Sequence, residues 1–289
     1  PRKGSSGADR PRLGHGKGTI GMHHDLEPIA TMPLACDGRL RRDHAPTPFE
    51  AMVRRSAQEG AAGQPAAGDA FGHGLRAAVN GGAVLSFVAD LTAKEKRDVL
   101  FSIQFAQRAA SARHDRFGDT DAWYRLFVEV MERLGWAGES FAFTQRASGA
   151  GTLRMDKSAL DVIATIATGN QLAILVKALD TMKGLAEEDG AIRVFELQAV
   201  AELSGNYQLG TVQRAENGAL SLALGAFRFH TTDRRRRVLF WDWGAEQIVF
   251  WAAAQKMTLN SEHYARVRST VAERLAADAA DYMAEIPIA

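Results

Sequence analysis

Few residues in this chain stand at a spacing that chemistry requires. Cys36 is the single cysteine, which excludes an intramolecular disulfide framework and a cysteine-only zinc site. Set between Pro33 and Gly38 in a poorly patterned stretch, it reads as an incidental thiol. Five of the eight histidines, His15, His23, His24, His44 and His73, fall in the first 82 residues. A metal site needs paired ligands on one face plus a carboxylate. His23-His24-Asp25 is contiguous instead, and no partner motif follows. The run Gly14-His15-Gly16-Lys17-Gly18-Thr19 lacks phosphate-loop spacing and has no apolar strand before it, so it reads as a flexible basic linker. There is no GxSxG elbow, HExxH pair, CxxC, dinucleotide fingerprint or EF-hand loop. The sequence therefore implies no cofactor and no metal, and it selects no catalytic nucleophile.

What remains is a basic run beside an aromatic stretch. Arg234, Arg235, Arg236 and Arg237 precede Phe240, Trp241 and Trp243, the combination that anion or single-strand recognition uses. Arg228 and His230 fall on one face of a neighbouring strand, opposite Phe227 and Phe229. Asp242 is an acid among aromatics, expected to be desolvated and to need a partner such as Arg228, His230 or Lys256. Three functional readings follow. The first is a non-enzymatic binding protein whose basic turn meets a protein or an anionic ligand. The second is a secreted, membrane-acting protein of toxin or virulence type, in contact with a lipid surface. The third is a hydrolase-like enzyme with Ser or Thr, His230 and Asp242 assembled by folding.

The elements that would position these residues follow from periodicity. Residues 1–82 are rich in Gly, Ala, Pro and Arg and poor in large apolar side chains, with 11 Lys/Arg against 8 Asp/Glu. They read as a mostly disordered basic tail with one amphipathic exception, 48–58. A globular domain then spans 83–289. Thr92 and Glu95 form a capping box opening a helix over 92–115, with Arg113–Arg116 as its charged, exposed end. A second helix, 119–134, carries Trp123, Phe127, Val130, Met131 and Leu134 on one stripe. Residues 157–183 are apolar on nearly every side and read as one central buried helix; too many charges interrupt it for a transmembrane span. The period then changes to 2. Strands are expected at 191–197, 206–215, 220–229, 238–243 and 247–254, with Asn217-Gly218 as a type I′ hairpin turn. A phase slip at Gly225-Ala226 predicts a β-bulge, and 261–285 reads as a closing helix.

The totals agree with a soluble globular chain. It has 289 residues, 46% hydrophobic, with a net charge of +1 (35 basic minus 34 acidic), so nothing pulls it globally towards nucleic acid. No signal peptide is recognisable, which leaves cytoplasmic and secreted locations open. The expected architecture is α+β, an antiparallel meander of five to six strands packed with four helices.

Overall fold

A computed structural model describes residues 28–36, 47–61, 74–138, 142–146, 152–233, 237–244, 246–276 and 278–288. In chain order the helices are α1 (Pro48–Ala61), α2 (Ala93–Ser111), α3 (Thr120–Arg133), α4 (Met155–Ala164), α5 (Gly169–Gly184), α6 (Gly190–Ala199) and α7 (Ser261–Leu275). The strands are β1 (Ala77–Asn80), β2 (Ala83–Phe87), β3 (Trp136–Gly138), β4 (Thr144–Arg146), β5 (Thr152–Arg154), β6 (Val200–Ala201), β7 (Ser204–Arg214), β8 (Leu220–Thr231), β9 (Asp242–Gly244), β10 (Ile248–Leu259) and β11 (Met283–Glu285).

The α+β class holds, but the sheet is larger and mixed. Nine strands run β11-β1-β2-β7-β8-β10-β3, with β4 also on β10 and β6 on β7; β5 and β9 form a separate pair. Every pairing is antiparallel except β2 with β7, which is parallel. Each face carries a helical layer. One core joins α1, α2, α3 and α7 to side chains such as Leu85, Leu222, Leu224 and Met257. The other joins α4, α5 and α6 to Val84, Tyr207, Phe227 and Phe250.

Two-sided burial explains several departures from the expected pattern. β8 pairs with β7 and β10 in continuous register through Gly225 and Ala226, so there is no bulge. Leu220, Leu222, Leu224 and Ala226 face one core, whereas Phe227 and Phe229 face the other. The apolar phase changes because a different helical layer covers each half of the strand. The stretch 191–197 is helix α6, started by the Asp189 carboxylate, which accepts the Ala191 amide at 2.8 Å. Its Ile192 and Val194 fit either period, but Ala191, Phe195 and Ala199 complete a helical face. The expected helix 157–183 is two helices. Thr168 and Gln171 make a capping box that restarts the chain as α5, and the buried Gln171 amide donates to Thr211 O at 3.0 Å, pinning α5 to the sheet.

The helix enclosed on all sides is α2 instead, buried from Lys96 to Ala110. Its Thr92–Glu95 capping box forms as expected. Its polar side chains are tied within the core: Gln104 to Ala279 O (3.0 Å), Gln107 to Gln208 Oε1 (2.8 Å) and Asp98 to Arg268 (2.8 Å). The α3 stripe is buried throughout. The hairpin turn takes positive φ only at Gly218 (81°), while the Asn217 side chain accepts the Ala219 amide, so it is not type I′. Residues 238–240 form a 3-10 turn rather than a central strand, and α7 stops at Leu275, the chain returning as edge strand β11. Of the tail, residues 28–36, 47–61 and 74–82 pack into the same body: Met32, Phe49 and Val53 are buried, and β1 joins the sheet. The rest of the 1–82 expectation, including His15, His23, His24, His44 and His73, lies outside the described residues.

Three of the four tyrosines, Tyr124, Tyr207 and Tyr264, have phenols pushed up by burial. A raised folded-state value for an acid means stability that is complete below the unfolded value of about 10 and lost as pH rises above it. Alkaline difference absorbance should therefore show these three phenols ionising together with unfolding. Smooth ionisation of all tyrosines with the far-UV spectrum unchanged would contradict this packing.

Candidate functional site

The aromatic and basic stretch is first a folding element. Arg237 takes a left-handed conformation (φ 56°), and its amide bonds Glu196. Its guanidinium donates to Leu185 O (3.1 Å), Met182 O (3.3 Å) and Lys183 O, placing a cation on the negative end of α5. Arg234, Arg235 and Arg236 lie outside the described residues. Asp242 is not desolvated: its side chain is 66% exposed and its charge partner is Arg154 at 3.8 Å. His230 is exposed and meets Ser204 Oγ at 3.1 Å. No hydrogen bond or ion pair among the described residues joins His230 to Asp242, so the triad is not assembled. Arg228 pairs with Asp121 (3.2 Å) and lies over Phe143 and Trp251. Among the described residues, Arg228, His230, Arg237 and Asp242 each have a different partner.

A different place has the features of one. The end of α2, the loop 112–119, the end of α6, the segment 28–36 and Tyr282 enclose a cleft of about 300 Å³. Most charges around it are matched. The Arg108 guanidinium pairs with Asp278 at 2.6 and 3.1 Å, donates to Ala35 O at 2.9 Å and lies over the Tyr282 ring. Cys36 Sγ lies 3.2 Å from both Asp278 Oδ2 and Arg108 Nη2, and burial, then the Asp278 bond, push its thiol up, away from nucleophilic character. His114 Nδ1 meets Asp119 Oδ2 at 3.2 Å.

Arg116 is the exception. The sequence reading placed it at an exposed helix end, yet it is only 6% exposed. The loop is held inward because Asn206, buried on β7, donates to Arg116 O at 2.9 Å and accepts Tyr124 OH at 2.6 Å. The guanidinium lies 4.7 Å from the Trp123 ring and flat on Gly82, where a Cβ would come within 2.3 Å of Nη2. Nε and Nη2 are buried without a hydrogen-bond partner, and no carboxylate among the described residues pairs with the group. Burial lowers its pKa to about 10. It remains a cation at neutral pH, and the shift corresponds to roughly 3 kcal/mol of strain on the folded state. Asn80 Oδ1 and Gln208 Nε2, beside Gln107 on the same polar seam, are also buried without partners. No local pattern marks Arg116: in sequence it is one more charge in a turn.

Among the described residues no group of His, Cys, Asp and Glu is placed to hold a metal ion, and no helix is long and apolar enough to cross a membrane. No protein-family model matches the sequence, and no curated protein matches it. Solved structures that align with this chain include the following three. Activated Cyt2Ba monomer from Bacillus thuringiensis subsp. israelensis aligns at 10% identity and TM-score 0.40, covering 62% of this chain and 97% of that one. The Evf virulence factor aligns at 10% identity and TM-score 0.32, over 71% and 85%. A delta-endotoxin aligns at 13% identity and TM-score 0.35, over 63% and 82%. At these scores none of them assigns this chain a family or an activity.

Two substitutions at the cleft should have opposite effects in the absence of added ligand. Arg108→Met strands Asp278 and should cost about 3–5 kcal/mol. Arg116→Met removes a buried charge that has no partner and should leave stability unchanged or raise it, read as urea midpoints. A loss for Arg116→Met as large as that for Arg108→Met would mean Arg116 is already paired.

Proposed function

We propose that this chain is a non-enzymatic binding protein that takes a small anion in the cleft beside Arg116. The observation that carries the reading is a buried guanidinium with no counter-charge among the described residues, on a residue that lines an opening. An isolated ion in a low-dielectric surrounding is costly, and an anion seated next to it offsets that cost. A folded protein that keeps such a group has a use for it that packing does not supply. Ser111 assists: its Oγ accepts the Trp123 indole N–H at 2.9 Å, which leaves its own hydrogen to donate into the cleft. The test is the melting temperature with sodium acetate, benzoate or phosphate against sodium chloride of equal ionic strength. At least one of these anions should raise Tm in the wild type and leave Arg116→Met unmoved. Equal shifts in both proteins, or no shift in the wild type, would reject the reading.

A second reading, contact with a lipid surface, is favoured by a separate observation. Trp241 and Val249 stand 44% and 38% exposed on either side of the β9–β10 turn. In sequence the arginines 234–236 lie just before this turn, which suits an anionic headgroup layer. Vesicles containing anionic lipid should then float with the protein and blue-shift its tryptophan emission, and Trp241→Ser should weaken both. Absence of flotation at neutral and acidic pH would remove this reading.

A further inference from the structure

Resting on the anion-site reading above, we infer that the ligand is an organic monocarboxylate with a compact apolar body, aromatic or branched, rather than an inorganic anion or a phosphate ester. Three features of the cleft carry this.

The first is its charge count. Of the two arginines lining the cleft, Arg116 lacks a counter-charge among the described residues, whereas Arg108 is neutralised by Asp278 at 2.6 and 3.1 Å. Asp115 also lines the cleft, its Oδ1 accepting the Phe117 amide at 2.9 Å. A single negative charge balances Arg116. A second would have no cation and would share the cleft with the carboxylate of Asp115.

The second is the chemistry of the remaining wall. Leu197, Phe117, Tyr282 and Ala35 give the cleft an apolar side. Leu197, at the end of α6, is 36% exposed, one of only three large apolar side chains left that open among the described residues. An exposed apolar side chain on the lining of a cleft that also carries a cationic residue suits an amphiphilic molecule.

The third is size. A cleft of about 300 Å³ lies at the lower end of small-molecule sites and excludes nucleotides and long chains from full enclosure.

The experiment is calorimetric titration of the full chain with acetate, benzoate, benzamide and inorganic phosphate, in wild type, Arg116→Met, Gly82→Ala and Leu197→Ala. Benzoate should bind roughly tenfold or more tightly than acetate, from burial of the ring. Benzamide, of the same shape without charge, should bind more weakly than benzoate by a similar factor. Arg116→Met should abolish the preference for benzoate over benzamide. Gly82→Ala, which displaces the guanidinium from its seat, should reduce it. Leu197→Ala should weaken benzoate and leave acetate unchanged. If acetate binds as tightly as benzoate, the apolar body is wrong; if phosphate does, the monocarboxylate is wrong; in both cases the anion site stands. If benzamide matches benzoate, or no anion binds, the anion site itself is wrong. Should Arg116→Met fail to fold, Gly82→Ala decides between the same outcomes.

Discussion

The structure depends on the complete enclosure of α2. A helix covered on one face by the sheet and on the others by α3, α7 and the turn 279–282 cannot keep a solvated polar side. Its buried polar side chains call for partners inside, since an unpaired group costs about 1–3 kcal/mol or more. Gln104, Gln107, Arg108 and Asp98 each reach an element distant in sequence. These bonds fix α2 against the final turn before β11, against β7 and against α7. Apolar packing gives the layers their attraction; the polar spine gives them one register.

That same spine creates the cleft. At its far end the chain leaves α2, turns through 112–119 and re-enters the core at α3. Asn206 and Tyr124 draw the turn inward, and Arg116 is carried with it into a position without a carboxylate. Arg108, one turn earlier on α2, is fully matched by Asp278. Two arginines eight residues apart thus share one cleft in opposite electrostatic states. The difference is set by what the loop 112–119 and the turn before β11 place beside each, not by the arginines themselves.

The segment 28–36 has a related role. It crosses the outer helical layer, held by Arg108 to Ala35 O and by Arg274 to Met32 O at 2.7 Å. Met32 is buried beneath it, so the segment is anchored as well as tied. It closes one side of the cleft, which makes the site dependent on residues that sequence composition assigned to a tail.

How much of this was legible beforehand depended on how local the cause was. The Thr92–Glu95 cap, the α3 stripe, the Asn217-Gly218 reversal and the long strands β7 and β8 are decided by neighbours within a few residues, and the sequence by itself determined them. Tertiary structure alone decided the rest. Ile192 and Val194 suit a strand or a helix until α6 has a sheet face to cover. Leu224 and Phe227 look out of phase until each face of β8 has its own layer. Trp241 and Trp243 look like core together, yet the 3-10 turn leaves one exposed and buries the other. Arg116 is the sharpest case. In sequence it is a surface charge beside His114 and Asp115. It becomes a buried, uncompensated cation only because β7, α3 and the Gly82 turn converge on it, and no local pattern encodes a convergence of segments so far apart in the chain.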